Sequence, residues 1–125
     1  MIAVDTSSLA AYFSDLSGRD IDLIDFALEQ EYICLPAPVL CEILSDPKLP
    51  ESIEDNIKKF PVLQIHDGYW ERAGELRRII LSKKLKARLA DALIAQTCID
   101  HKIALITRDA DFTHFVKYGG LKLAP

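Results

Sequence analysis

Cysteine is scarce in this chain: Cys34, Cys41 and Cys98 are the only three in 125 residues, and none falls in a C-x-x-C spacing. An odd, scattered trio excludes a disulfide framework and offers no zinc pattern. All three are expected to be small buried apolar residues in a reducing compartment. Long apolar runs are missing too. No stretch approaches the roughly 18 residues of a membrane-spanning helix, so no membrane association is expected. There is no basic leader, and Asp5 interrupts the first apolar run, which argues against a secretory signal peptide. The expected setting is cytoplasmic. Repeats, linkers and low-complexity segments are absent, and His66, His101 and His114 stand isolated, with no site role expected of them.

What is present is an ordinary globular composition, with 50% apolar and 27% charged residues. The length suits a single domain, residues 1–125, able to bury roughly two-thirds of its unfolded surface. Met1–Val4 reads as a buried strand ending at Asp5, and Leu9–Phe13 as a short helix after the capping hydroxyls of Thr6, Ser7 and Ser8. Asp20–Gln30 is a helix with Ile21, Ile24, Ala27 and Leu28 inward and Asp20, Asp22, Asp25 and Glu29 outward. Tyr32–Leu35 is a second strand, and Pro38 opens a helix through Leu44 that is apolar nearly all round except for Glu42. Glu51–Lys59 reads as a more polar helix and Val62–Ile65 as a strand. Tyr69–Leu81 is a long helix with Trp70, Ala73, Leu76 and Ile80 as its apolar stripe.

The stretch from Leu89 to Phe112 organises the rest. Asp91 stands at the start of a helix, where the dipole favours an anion, and Ile94, Ala95, Cys98 and Ile99 follow as one stripe. Ile103–Thr107 is a short apolar run typical of a strand buried on both faces. Thr107-Arg-Asp-Ala-Asp-Phe112 then places Asp109 and Asp111 at its carboxyl end, where open α/β sheets bind ligands. Phe112 and Phe115 anchor a last short helix, and Leu121–Leu123 adds a small edge strand. Alternating strands and helices imply a three-layer α/β/α sandwich around a parallel sheet of four to five strands.

Most of the 19 acids have a plain place on solvated helix faces. Asp5, Glu42, Asp91 and Asp109 do not, because each interrupts or ends an apolar element, and Asp111 stands beside the last of them. An ionised carboxylate near a core is costly unless neutralised. Apart from Arg108 beside Asp109, no basic residue adjoins these acids in sequence, which makes a cation the economical partner. Oxygen-only ligands select Mg²⁺ or Mn²⁺ over zinc. Taken singly, Asp5, Asp91 and Asp109 also suit helix caps, and Glu42 suits a pair with a distant arginine.

The pieces Val4-Asp-Thr-Ser7, Glu42, Ala73-Gly-Glu-Leu-Arg-Arg78, Ala90-Asp-Ala-Leu-Ile-Ala95 and Thr107-Arg-Asp-Ala-Asp-Phe112 occur in this order along almost the whole chain. Through them the sequence resembles a PIN domain, and more narrowly a VapC-type toxin of a toxin–antitoxin pair. The resemblance implies that Asp5, Glu42, Asp91 and Asp109 form the catalytic, metal-binding set. Asp111 is a further candidate ligand, and the Thr6 and Ser7 hydroxyls support the site. It implies a Mg²⁺- or Mn²⁺-dependent endoribonuclease that shuts down translation, leaving a 5′-phosphate and a 3′-hydroxyl. A small antitoxin whose C-terminal segment covers the site is the implied partner, and a homodimer the implied assembly.

An acidic protein of net charge −4 must still hold RNA. Arg77, Arg78, Lys83, Lys84, Lys86 and Arg88 cluster just before Asp91. They serve either as a phosphate-guiding rim, with Lys86 and Arg88 foremost, or as the solvated end of a helix. Tyr12, Phe13, Tyr69 and Trp70 suit base stacking or, at helical spacing, the core. Two rival readings remain at this level. One is a phosphoacceptor receiver domain using Asp5 and Asp67, which leaves Glu42 and Asp91 unexplained. The other is a catalytically silent PIN-like module that binds RNA or protein.

Overall fold

The computed structural model describes residues 1–125. Its centre is β1 (Ile2–Val4), which pairs in parallel with β2 (Ile33–Cys34) on one side and β3 (Leu105–Ile106) on the other. Ala3, Val4, Cys34 and Leu105 are fully buried, as continuous apolar strands covered on both faces require. The register aligns Ala3 with Leu105 and Val4 with Ile106, so Asp5 and Thr107 leave the sheet side by side.

The sheet is narrower than the four to five strands expected. The segments around Val62 and Leu123 each join by a single parallel bridge, to Leu35 and Leu105 respectively. At the first of these edges the ladder is cut short by proline. Leu35 donates to the Pro61 carbonyl at 2.8 Å and accepts from Leu63 at 2.9 Å, but Pro61 itself has no N–H to donate the rung before.

The connection from β1 to β2 carries α1 (Thr6–Phe13) and α2 (Arg19–Glu29). The return across β1 to β3 carries α3 (Ala37–Leu44), α4 (Glu51–Ile57), α5 (Tyr69–Ser82) and α6 (Leu89–His101). The two crossovers run in opposite directions along the sheet. Right-handedness therefore sends their helices to opposite faces and gives the three layers. A short 3-10 turn (Ala110–Phe112) and α7 (Thr113–Gly119) follow β3.

Helix α1 starts three residues before the expected Leu9, because Asp5 caps it by accepting the Ser8 N–H at 2.9 Å. In α5 the inward stripe is Tyr69, Ala73, Leu76 and Ile80, while Trp70 is 60% exposed, contrary to its expected place. Positions 69, 73, 76 and 80 follow the i, i+4, i+7, i+11 rhythm of one helix face, which position 70 does not. Tyr69 keeps its hydroxyl satisfied on the Leu93 carbonyl at 2.6 Å. Two further expectations fail: Cys41 is exposed on α3, and Asp20, assigned to the outer face of α2, is buried. His66 and His101 are not isolated either. Their rings stack with centroids 4.3 Å apart, and His101 Nε2 lies 2.6 Å from the Gln64 carbonyl oxygen. No helix is long and apolar enough to cross a membrane.

Candidate active site

Asp5 is the best-enclosed acid of the site, at 2% exposure. As the cap of α1 it takes the Ser8 N–H on Oδ1, and the Ser7 hydroxyl reaches both oxygens, at 2.8 and 3.0 Å. Thr107 Oγ1 donates to Oδ2 at 2.6 Å from the end of the neighbouring strand. Burial nevertheless outweighs these donors, and with Asp109 nearby it holds the Asp5 carboxyl above the usual carboxylate range.

The other acids arrive from separate elements. Glu42 projects from α3, where it is exposed, and accepts the Thr6 hydroxyl at 2.6 Å. Asp91 lies in the first turn of α6 and is pushed up to about 6, first by burial, then by the charge of Asp109. Glu42 and Asp5 push in the same direction, and Arg88 opposes them. Asp109 follows β3 and caps the 3-10 turn, taking the Asp111 N–H at 2.9 Å, while its own N–H is donated to Thr107 Oγ1 at 3.0 Å. Asp5 and Asp109 are thus helix-end caps as well as members of the cluster.

None of Asp5, Glu42, Asp91 and Asp109 forms an ion pair with a lysine or arginine. Asp111 does: its Oδ2 lies 3.1 Å from Lys86 Nζ. This contact turns one expected ligand and one expected phosphate contact towards each other. Arg88 is exposed at the cap of α6 and is the basic residue felt by Asp91. Arg77 instead closes the α5–α6 connection, donating to the Ala87 carbonyl at 2.8 Å.

Thr107 had no role assigned to it from sequence, yet its single hydroxyl touches Asp5 and the backbone of Asp109. Its position two residues before an acid at a strand end was the available signal. Of the aromatics weighed for base stacking, Tyr69 belongs to the core, Tyr12 and Phe13 are half-buried, and Trp70 is exposed.

The donor set is all oxygen, mutually repulsive and without basic partners, which fits a hard divalent cation. No three of the side chains already enclose one ion-sized position. The four form a cluster of neighbours from which a cation would draw its ligands.

The fold is shared with known proteins. The family model described as the PIN domain matches residues 2–118. Solved structures with the same fold include VapBC2 from Rickettsia felis bound to a DNA fragment from their promoter, at 18% identity and TM-score 0.69, covering 99% of this chain and 98% of that one. FitAcB from Neisseria gonorrhoeae aligns at 16% identity and TM-score 0.71, covering 100% and 97%. DNA-bound VapBC from Salmonella typhimurium aligns at 17% identity and TM-score 0.70, covering 99% and 98%. No curated protein matches by sequence.

Proposed function

This chain belongs to the PIN domain family, and from that premise we propose that it is a Mg²⁺- or Mn²⁺-dependent endoribonuclease, the toxin of a toxin–antitoxin pair. The observation that carries the reading is the convergence of Asp5, Glu42, Asp91 and Asp109 from four separate elements with no basic residue paired to any of them. Family membership removes the receiver reading. Asp67, which that reading needs, lies in an exposed turn before α5.

Asp5, Glu42, Asp91 and Asp109 would hold the cation. When bound, it would acidify a water molecule and offset charge growing on the phosphoryl oxygens. The chain's own contribution is orientation and proton handling. Ser7 and Thr107 fix the Asp5 carboxylate, Thr6 fixes Glu42, and Asp91 is the acid best placed to take a proton. Arg88, exposed beside Asp91, is the best-placed phosphate contact.

Two surfaces support the proposed partners. A groove of mixed lining, with Phe13, Ile43, Leu49 and Ile53 as its apolar side and Ser14 and Asp46 among its polar residues, runs beside Thr6 and Glu42, which suits an amphipathic segment of an antitoxin laid across the site. The exposed Ile65 and Trp70 suit the contact of a homodimer.

Cleavage of a labelled RNA with Mg²⁺ or Mn²⁺, repeated in excess chelator and with Asp91→Asn, tests the reading. Metal-dependent cleavage lost in the variant is expected. Cleavage undiminished by the chelator would remove the metal mechanism, and no cleavage of any RNA under any cation would favour a silent binding module.

A further inference from the structure

Asp20 is a buried acid, 8% exposed, with no part in the chemistry above. It sits in the first turn of α2 and receives the Arg108 guanidinium on both oxygens: Nε to Oδ2 at 2.7 Å and Nη2 to Oδ1 at 3.0 Å. Ser8 Oγ donates to the same Oδ2 at 2.9 Å, and Arg108 Nη2 also reaches the Ser17 carbonyl at 3.1 Å. The backbone N–H of that same Ser8 is held by Asp5 Oδ1. On the other side, Thr107 precedes Arg108 in the chain and bonds Asp5 Oδ2.

These contacts close a ring that runs from Asp5 through Ser8, Asp20, Arg108 and Thr107 back to Asp5. Gly18 borders the ring with φ +145, and a Cβ there would stand 2.8 Å from Asp20 Oδ1 and 3.3 Å from Arg108 Nη2.

We propose that the Asp20–Arg108 pair is the positioning device of the carboxylate centre, locking the Thr107–Asp109 turn onto the starts of α1 and α2. The proposal rests on the nuclease reading of that centre. Four neighbouring carboxylates repel one another, and Asp109 sits on a short turn with one flank open to solvent. A two-pronged guanidinium clamp one residue before Asp109 sets both the distance and the orientation of that turn. Arg108 and Asp20 thus act through Asp109 and Asp5, as outer-sphere partners act on metal ligands.

The test compares Mn²⁺ affinity, read by calorimetry on the intact chain, with stability in urea. Arg108→Gln and Asp20→Asn are expected to weaken Mn²⁺ binding by about tenfold or more. The amide protons of Ser8 and Asp109 should also exchange faster in both variants. The control is Arg72→Gln, which breaks the other two-pronged arginine–carboxylate pair, to Asp100 at 2.6 and 3.0 Å. Asp100 lies roughly 13 Å along α6 from Asp91, at 1.5 Å per residue, so Arg72→Gln should lower stability and leave Mn²⁺ affinity within about twofold. Should Arg108→Gln fail to fold, Asp20→Asn and Arg108→Lys carry the comparison. The lysine keeps the charge without the fork and should lose less affinity. Wild-type affinity in the ring variants, or an equal loss in Arg72→Gln, overturns the positioning role alone. A wild-type chain that binds no Mn²⁺ overturns the nuclease reading and the positioning role with it.

Discussion

Asp91 is pushed up to about 6 from an ordinary value of 3.8, so between those two pH values the metal-free fold holds a proton there that the unfolded chain has released. For an acid raised on folding, the penalty is fully present above the folded value and vanishes below the unfolded one. Metal-free protein should therefore gain stability as pH falls from 7 to 5, and Asp91→Asn should flatten that dependence while raising stability at pH 7. Asp20 and Asp100 are shifted the other way by their arginines, and their contribution is lost only in more acidic solution, below the ordinary carboxylate value. Urea unfolding of chelator-treated protein at the two pH values checks this; an equal pH dependence in wild type and variant would mean that burial and the neighbouring acids do not raise Asp91. A second residue-scale expectation concerns Thr107. Thr107→Val keeps the shape but deprives Asp5 of a donor and the Asp109 N–H of an acceptor. It should cost about 1–3 kcal/mol, whereas Thr107→Ser should be close to neutral. A valine variant as stable as the serine one would deny the hydroxyl its role.

At the scale of elements, the α5–α6 connection is where the basic residues meet the site. Lys86 is engaged by Asp111 and Arg88 is not engaged by any acid, so the two should behave differently towards RNA. Arg88→Ala should flatten the fall of affinity with salt by about one counterion, and Lys86→Ala should do so less. Asp111→Asn should tighten RNA binding by freeing Lys86. Parallel salt plots for all three variants and the wild type would place the RNA path elsewhere. The same elements show what was legible in sequence. Strand ends announce themselves, because an acid that stops a buried apolar run is a local event; Asp5 and Asp109 are of this kind, and so is Asp91 at a helix start. Asp20 was misplaced because the residue that makes its burial tolerable, Arg108, is 88 positions away. Trp70 departs from its expected place because helical phase, and not the apolar area of a side chain, decides which positions of α5 face the core. Asp111 is further set apart from Asp109 by Lys86, a contact set by how two connections fold over one another. Local placement is readable in the sequence, and long-range pairing is not.

For the whole molecule, the parallel order β2–β1–β3 sends Asp5 and the Thr107–Asp109 turn to one end of the sheet, and α3 and α6 bring Glu42 and Asp91 to the same place. Concentrating acids in a chain whose net charge is already −4 costs stability and repels an anionic substrate. Two bound divalent cations would bring that net charge to zero. A cation that binds only the folded chain must also stabilise it, by about 2.7 kcal/mol at a concentration a hundredfold above its dissociation constant. The urea midpoint of the wild type should therefore climb with the logarithm of Mn²⁺ concentration once the site begins to fill. Asp91→Asn should start from an equal or higher midpoint without metal, since it removes one repelling charge, and should climb less. The crossing of the two curves is the signature, because a purely structural acid would lower the midpoint at every cation concentration. A wild-type midpoint that ignores Mn²⁺ and Mg²⁺ throughout would leave the four unpaired carboxylates without their proposed partner.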